Sequence, residues 1–407
     1  MDQGVRGEGV GGVGRLPQAA APVSYRDLCK ACLWLGLTAY GGPAMVGHVR
    51  DVVVDRRRWV GAKEFAEGLA LCQLIPGATL TQVISYVGLV LRGPAGAAAA
   101  AACFILPGAL LVLVLSALYF RWQALPIVQT LSHGVAAVVV AILAYACLRL
   151  ARTMLPTLPT LAIALAAGLA YVWRVNVFVV ILGAAAVGFL TSRGRGEPGE
   201  TSDRSGSPVG AVTPLVWSAL AGGTLAVLLA MWMAAPRLAR LCLAFLGIGS
   251  VAFGGGYSMI PLIQQQVVDK LGLLSTQMFM DGIALGQITP GPIMLTATFI
   301  GYASWGPAGG LLATLAIFFP SWVILVVVAP RFRTWSQKGA AQGLIRGVIA
   351  SFVGMLLSLL VRFGTVALTD WPGVLLSAGA FAALLLGVDL PFVIAAGLLL
   401  SVLLSLT

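Results

Sequence analysis

Two segments of the sequence place amides and hydroxyls beside a Pro-Gly break in an apolar run. The first reads LALCQLIPGATLTQ over 69–82, and the second reads IALGQITPGPIMLTAT over 283–298. Proline removes a backbone donor and kinks or ends a helix, so each segment predicts two helical pieces with a gap between them. A helix that restarts after a gap presents free N–H groups and a positive dipole end, which suits an anion.

Side chains near the two breaks could donate hydrogen bonds to an oxyanion without burying an unpaired charge. Glycine-rich turns lie upstream of each break and permit backbone shapes that are closed to other residues. The predicted substrate-binding residues are Gly41, Gly42, Pro43, Gln73, Pro76, Gly77, Thr79, Gln82, Gly254, Gly255, Gly256, Gln287, Thr289, Pro290, Gly291 and Thr296. A threonine hydroxyl can equally bond back to its own helix, and that alternative stays open for each single Thr.

Charged residues flank the same segments. We predict that an anion meets one or more of four arginines where it enters the membrane: Arg50, Arg57, Arg58 and Arg92. The alternative for the arginines of the 56–58 run is orientation of a membrane loop and contact with lipid headgroups. Glu67 and Asp281 precede the two breaks at equivalent positions and are candidates for proton coupling. The alternative for both carboxylates is a helix cap or a partner for Lys or Arg.

Catalytic and cofactor patterns are missing from the sequence. It holds no hydrolase elbow, Walker loop, HExxH or His-rich metal motif, so we expect neither an enzyme nor a resident cofactor or metal. The six cysteines all fall within apolar segments, and the CKAC at 29–32 has no second pair that would complete a metal site.

The composition predicts a polytopic membrane protein that must position these residues. Of 407 residues, 59% are hydrophobic and 10% are charged, against about a quarter charged in soluble domains. This length allows roughly nine or ten spans of ~20 residues. The net charge of +11 comes mostly from Lys and Arg in short segments between apolar runs, so it indicates orientation rather than nucleic-acid binding.

The sequence contains an internal duplication. TAYGG at 38–42 matches VAFGG at 251–255, and GPAG at 93–96 recurs at 306–309. Basic residues concentrate in the 50–63 segment of the first half and in the 331–338 segment of the second, which do not correspond. By the positive-inside rule the halves are therefore inverted, with 50–63 in the cytoplasm. Whether the broken segments cross the membrane or re-enter is left open.

The predicted fold class is an all-α polytopic membrane protein of two inverted homologous halves, with about nine or ten spans plus broken or re-entrant helices. The predicted regions are a disordered N-terminus, a first repeat, a cytoplasmic linker, a linking span and a second repeat, at 1–23, 24–192, 193–212, 213–235 and 236–407. The N-terminus is Gly-rich and lacks the apolar core of a cleaved signal peptide.

The sequence resembles the chromate ion transporter family in its long, two-domain form. The resemblance runs from about 25 to about 400 and is carried by YGGPAMVGHVRDVVVDRRRW and LCQLIPGATLTQVISYVG, and by AFGGGYSMIPLIQQQVV and DGIALGQITPGPIMLTATFIGY. Besides the glycines, prolines and glutamines named above and Arg50, Arg57 and Arg58, the matching motif residues are Trp59, Tyr86, Phe253, Tyr257 and Pro292. Tyr40 stands where Phe is usual, and Ala78 replaces the second Pro of the first Pro-Gly-Pro.

The resemblance implies secondary transport of chromate, typically efflux that gives chromate resistance, in the plasma membrane of a prokaryote. Sulfate is a related tetrahedral dianion and an alternative or exchanged substrate. A membrane scaffold subunit is the non-transport alternative, and a homodimer is left open. Paired broken helices in inverted halves indicate a mid-membrane site around which access alternates.

Overall fold

The computed structural model of the chain describes residues 23–40, 44–155, 157–192, 214–253, 256–331 and 339–405. These residues form helices and turns, and this described part contains no strand. The helices are α1 Tyr25–Leu37, α2 Ala44–Arg50, α3 Ala62–Leu74, α4 Thr79–Trp122, α5 Pro126–Met154, α6 Leu158–Val172, α7 Val177–Ser192, α8 Pro214–Ala234, α9 Pro236–Val251, α10 Ile260–Ile263, α11 Thr276–Ile288, α12 Thr296–Val328, α13 Gly339–Ala367, α14 Trp371–Leu385 and α15 Leu390–Ser405. Most of the predicted N-terminal region and the predicted linker lie outside the described residues.

Helix α4 is two antiparallel helices joined by a sharp turn. Arg92 and Gly93 leave helical dihedral angles, and Gly93 has a φ of 68°. A Cβ on Gly88 would overlap the carbonyl of Gly96, so the two parts pack backbone to backbone. We call 79–91 α4a and 94–122 α4b. The same turn at Trp305 and Gly306 divides α12 into α12a (296–304) and α12b (307–328).

Each Pro-Gly break is the tip of a helical hairpin. A Cβ on Gly68 in α3 would overlap the ring of Tyr86 in α4a, which places the two helices side by side. Gly282 in α11 lies against the ring of Phe299 in α12a in the same way. Helices α3 and α11 have 13 residues each, or about 20 Å, against a hydrocarbon core of about 30 Å. Because each short helix folds back on its neighbour at the break, we infer that these segments enter the membrane and return on the same side.

Helix α1 and the segment after it form a further hairpin in the first half. The rings of Trp34 in α1 and His48 in α2 are 5.1 Å apart. A π-helical stretch, Asp51–Arg56, continues α2, and its counterpart Gln264–Lys270 continues α10. Because α1, α2 and α10 belong to segments that fold back, we do not count them as crossings.

Nine apolar helices remain as crossings in the described chain. Four belong to elements long enough to span a membrane, namely α4, α5, α12 and α13. The shorter apolar helices are α6, α7, α8, α14 and α15. Five crossings, α4b to α8, separate α1 from its counterpart α9. An odd number puts equivalent points on opposite sides of the membrane, which agrees with the inverted halves predicted from charge.

The two halves are interlocked through their longest undivided helices. α5 of the first half packs against α14 and α15, and α13 of the second half packs against α6 and α7. Small residues make this possible, because Gly168 of α6 faces Gly354 of α13 and Gly134 of α5 faces Ser401 of α15. In lipid, such close backbone approach supplies much of the packing between helices.

An ion pair fastens α13 to the π-helical segment of its own half. Both terminal nitrogens of Arg362 donate to the two carboxylate oxygens of Asp269, at 2.8 and 2.7 Å. The side chain of Asp269 is 12% exposed and that of Arg362 is 34% exposed. The corresponding first-half residues, Asp55 and Arg149, are both exposed.

We expect Arg362→Ala to lower the free energy of unfolding by about 1–2 kcal/mol, because it leaves a buried carboxylate without its partner. This value is below the range for fully buried pairs, since solvent reaches the arginine. Thermal unfolding of the purified protein in detergent measures the effect. Arg149→Ala is the matched control and should change the midpoint little; an equal shift in both variants would contradict the assignment.

Candidate functional site

The two hairpin tips are held by the opposite half through equivalent hydrogen bonds. The N–H of Gly77 donates to the carbonyl oxygen of Ala252 at 2.5 Å, and the N–H of Gly291 donates to that of Ala39 at 2.9 Å. Gly77 has a φ of 140° and Gly291 a φ of 121°, conformations that residues with a Cβ rarely adopt. The tips of two hairpins that enter from opposite sides are therefore fixed against the ends of α9 and α1.

Polar atoms without partners surround the first tip. Gln82 is 1% exposed; its Nε2 donates to the Pro76 carbonyl at 2.6 Å, and its Oε1 has no partner in the described part of the chain. A Cβ on Gly77 would overlap both the Ser321 hydroxyl and the Gln82 amide. The hydroxyls of Thr81 and Ser321, 3% and 2% exposed, also lack hydrogen-bond partners among the described residues. Ser321 belongs to α12b and was not among the predicted site residues.

The hydroxyls at the second tip bond to their own surroundings. Thr289 donates to the Gly286 carbonyl at 3.1 Å, and Thr296 donates to the Ile293 carbonyl at 2.9 Å. The side chain facing each tip also differs between the halves: Ser321 faces Gly77, whereas Gly108 faces the carbonyl of Pro290. The two breaks thus have the same backbone design and different side-chain chemistry.

A polar stripe on α3 leads toward the first tip. Lys63 and Gln73 are exposed and Glu67 is half-buried, and the three lie on one face of the helix. A charged face toward lipid is costly, so this face borders water rather than hydrocarbon. Thr79, at the start of α4a, is half-buried.

The matching stripe on α11 is covered. Asp281 is 4% exposed and Gln287 8% exposed, whereas their first-half counterparts are more accessible. The Tyr119 hydroxyl donates to Oδ2 of Asp281 at 2.7 Å, and the Ser132 hydroxyl donates to the same oxygen at 3.0 Å. Gln277 donates to the Ser132 carbonyl at 2.8 Å. The start of α5 and the end of α4b therefore close over α11.

An aromatic cluster supports this cover. Phe120 stacks on Phe299 with centroids 5.1 Å apart and on Tyr302 at 5.8 Å. Within the described ranges, Oδ1 of Asp281 and Nε2 of Gln287 are buried and have no hydrogen-bond partner. Tyr119 and Ser132 were missed from the sequence, since their separation from Asp281 along the chain leaves no local pattern to find.

The predicted anion-entrance arginines fall into two groups. Arg50, Arg57 and Arg58 are exposed, and the guanidinium of Arg57 lies 4.7 Å from the ring centroid of Trp59. The prediction that the 50–63 segment is a loop was wrong, because it stays helical to Arg56 before a turn with Arg58 at a φ of 51°. The backbone N–H of Trp59 donates to the Val53 carbonyl and closes this turn. This bond satisfies one of the carbonyls that the end of a helix leaves without an intrahelical donor.

Arg92 has a different environment from the other three. It lies at the turn between α4a and α4b, donates to the Val23 carbonyl and stacks over Tyr25 at 5.2 Å. It therefore ties the start of α1 to this turn.

Part of the glycine-rich turns lies outside the described residues, namely Gly41, Gly42, Pro43, Gly254 and Gly255. Gly256 is described and packs against Ile293, directly after the second break. No group of three or more His, Cys, Asp or Glu able to hold a metal occurs among the residues that the structure describes.

The sequence model of a family described as chromate transporter matches the chain twice, over residues 26–189 and 239–402. The chain belongs to the chromate transporter family. The two matches coincide with the two structural halves. As expected from nine apolar helices, this member of the family is a multi-pass protein of the plasma membrane.

Curated relatives extend over most of the chain. An uncharacterized transporter of Methanocaldococcus jannaschii is 34% identical over 349 residues, 86% of each chain. A probable chromate transport protein of Synechococcus elongatus is 30% identical over 86% of this chain and 87% of its own. A chromate transport protein of Cupriavidus metallidurans is 29% identical over 90% of this chain and 89% of its own. No solved structure matches the chain.

Proposed function

We propose that this protein is a secondary transporter that exports chromate from the cytoplasm and thereby gives chromate resistance. The family and the names of two relatives support the substrate. The two hairpin tips support the site, because helix starts and side-chain hydroxyls and amides converge where an oxyanion needs donors. Rigid breaks in inverted halves are the arrangement that places such a site near the membrane midplane.

The observation that carries this proposal is the unequal cover of two equivalent polar stripes. Lys63, Glu67 and Gln73 on α3 correspond to Gln277, Asp281 and Gln287 on α11. The stripe on α3 is accessible, whereas α11 is closed by hydrogen bonds from Tyr119 and Ser132. The two halves are inverted, so covering the α3 stripe and uncovering the α11 stripe would open the site to the other side of the membrane. This switch is alternating access.

The charge bias supports export as the direction of transport. The segment from the end of α2 to the start of α3 carries Arg50, Arg57 and Arg58, which favours the cytoplasm for that end of the first hairpin. The accessible stripe on α3 then opens to the cytoplasm, where an exporter must load its substrate. Exposed arginines at this entrance would raise the local concentration of a dianion.

Two alternatives make different predictions. A sulfate or other oxyanion transporter would use the same donors, since sulfate has the same shape and charge as chromate. A membrane scaffold subunit would account for the crossings but not for two hairpin tips with buried polar atoms that lack partners.

Flux in proteoliposomes tests the proposal. Purified protein is reconstituted, and chromate movement is followed in both directions, with an imposed pH gradient and with sulfate as competitor. We expect saturable chromate flux that protein-free vesicles lack. Flux of sulfate with exclusion of chromate would favour the first alternative, and no flux of either anion by a folded protein would contradict transport.

The paired glutamines provide a prediction about the site. We expect Gln73→Ala combined with Gln287→Ala to lower chromate flux about tenfold or more, because each amide can donate to a charged oxyanion. Gln129→Ala, an exposed amide on α5, is the matched control. Cellular chromate accumulation at constant protein level measures the effect, and an unchanged value in the double variant would count against these residues.

A further inference from the structure

We propose that the hydroxyl ligands of the oxyanion lie at the first hairpin tip alone, with Ser321 of the second half as a direct ligand, and that the second tip contributes the Gln287 amide and backbone support. This inference rests on the proposed function and refines its site. It assigns a binding role to a residue in α12b that neither the sequence motifs nor the equivalence of the halves indicates.

The first step is the set of unpartnered atoms. Among the described residues, Ser321 Oγ, Thr81 Oγ1 and Gln82 Oε1 have no hydrogen-bond partner, and the three residues are 1–3% exposed. Leaving a buried polar group unpaired is costly, so three such atoms in one region favour a ligand that supplies the missing bonds. Ser321 Oγ and the Gln82 amide both border the point that a Cβ on Gly77 would occupy, which places them side by side at the tip.

The second step is the helix start. α4a begins at Thr79 after Ala78, and no side chain caps it. Its first N–H groups and positive dipole end therefore lie at the same tip as the unpartnered hydroxyls. Two hydroxyl donors at an uncapped helix start favour an anion over a cation.

The third step is the orientation of Gln82. Nε2 of Gln82 donates to the Pro76 carbonyl oxygen, so this backbone acceptor already has a donor. Oε1 is the atom of the same amide that is left to contact a ligand. Because Oε1 accepts only, the ligand must bring a proton to it. A tetrahedral oxyanion that is protonated or carries one water molecule has both the oxygens for the hydroxyls and a hydrogen for this amide.

The fourth step is the contrast with the second tip. The positions of Gln82 and Ser321 correspond to Leu295 and Gly108, and a Cβ on Gly291 would meet only the Leu295 side chain. Thr289 and Thr296 already bond to carbonyls of their own half. The second tip therefore offers an anion the Gln287 amide but no unsatisfied hydroxyl among the described residues.

The test compares two serine-to-alanine variants of the reconstituted protein. Ser321→Ala should raise the apparent KM for chromate about tenfold or more, since a hydrogen bond to a charged ligand is lost, with a smaller change in maximal rate. Ser351→Ala is the control, because that serine is also fully buried but donates to the Val348 carbonyl. Its KM should stay within about twofold of the wild-type value.

A binding measurement keeps this inference separate from the proposed function. Thermal unfolding of detergent-purified protein is recorded with chromate, molybdate and sulfate. Stabilisation of the wild type that Ser321→Ala loses and Ser351→Ala keeps would support the inference. If the wild type is stabilised and Ser321→Ala responds equally, Ser321 is not a ligand although the transporter function stands. If the wild type neither binds nor moves any of the anions, the proposed function fails as well.

Discussion

We expect Gly77→Ala to lower chromate flux by about 100-fold or more while the protein still assembles in the membrane. Gly77 has a φ of 140°, and imposing such a conformation on a residue with a Cβ costs about 1–3 kcal/mol. The added methyl group would also overlap the Ser321 hydroxyl and the Gln82 amide, which are the groups assigned to the anion. Strain and occupation of the site act together at this position.

The control for this prediction is Gly291→Ala at the equivalent second tip. Its φ of 121° brings comparable strain, but a Cβ there would meet only Cδ1 of Leu295 at 2.9 Å, the flexible end of a side chain. We expect a loss of about tenfold from strain alone. Chromate flux in proteoliposomes, normalised to monodisperse protein, measures both variants. Equal losses would mean that the two tips contribute alike, against the one-sided site.

We expect Asp281→Asn to remove the part of chromate flux that a pH gradient drives and to leave the flux measured without a gradient. Asp281 is 4% exposed and accepts hydrogen bonds from Tyr119 and Ser132, while Oδ1 has no partner among the residues described. A proton carrier must be stable both protonated and ionised. While it is buried, the Asp281 carboxyl group is stable with a proton on Oδ1, and when the cover opens, water stabilises the ionised form. An amide keeps an acceptor for the two hydroxyls but cannot release a proton at physiological pH.

Glu64→Gln is the matched control for Asp281→Asn, because Glu64 lies in α3 one turn before the equivalent position Glu67. It should retain pH-gradient stimulation, whereas Glu67→Gln should reduce it if the two stripes alternate. Flux is measured at a fixed internal pH with the external pH varied. Persistence of the full pH response in Asp281→Asn would show that this carboxylate does not carry the proton.

Much of the fold could be predicted from the sequence, because the signals are local. A low charged fraction predicts membrane spans, and Pro-Gly in an apolar run predicts a broken helix wherever the chain goes. Duplicated motifs with opposite charge bias predict two inverted halves, and the structure agrees. The hairpin form was beyond the sequence, since it depends on contacts such as Gly68 with Tyr86 across the break.

For the candidate site, too, the local features could be predicted from the sequence and the long-range contacts could not. The sequence by itself determined the two breaks and the matched pairs Gln73 with Gln287 and Glu67 with Asp281, because duplication keeps residue types in register. It also made the halves look equivalent. Only the tertiary structure decided that Gln287 is covered and Gln73 exposed, and that Ser321 faces one tip while Gly108 faces the other. Cover and facing neighbours come from helices far away in the chain, so equal sequences in two halves acquire unequal surroundings when the halves close around one site.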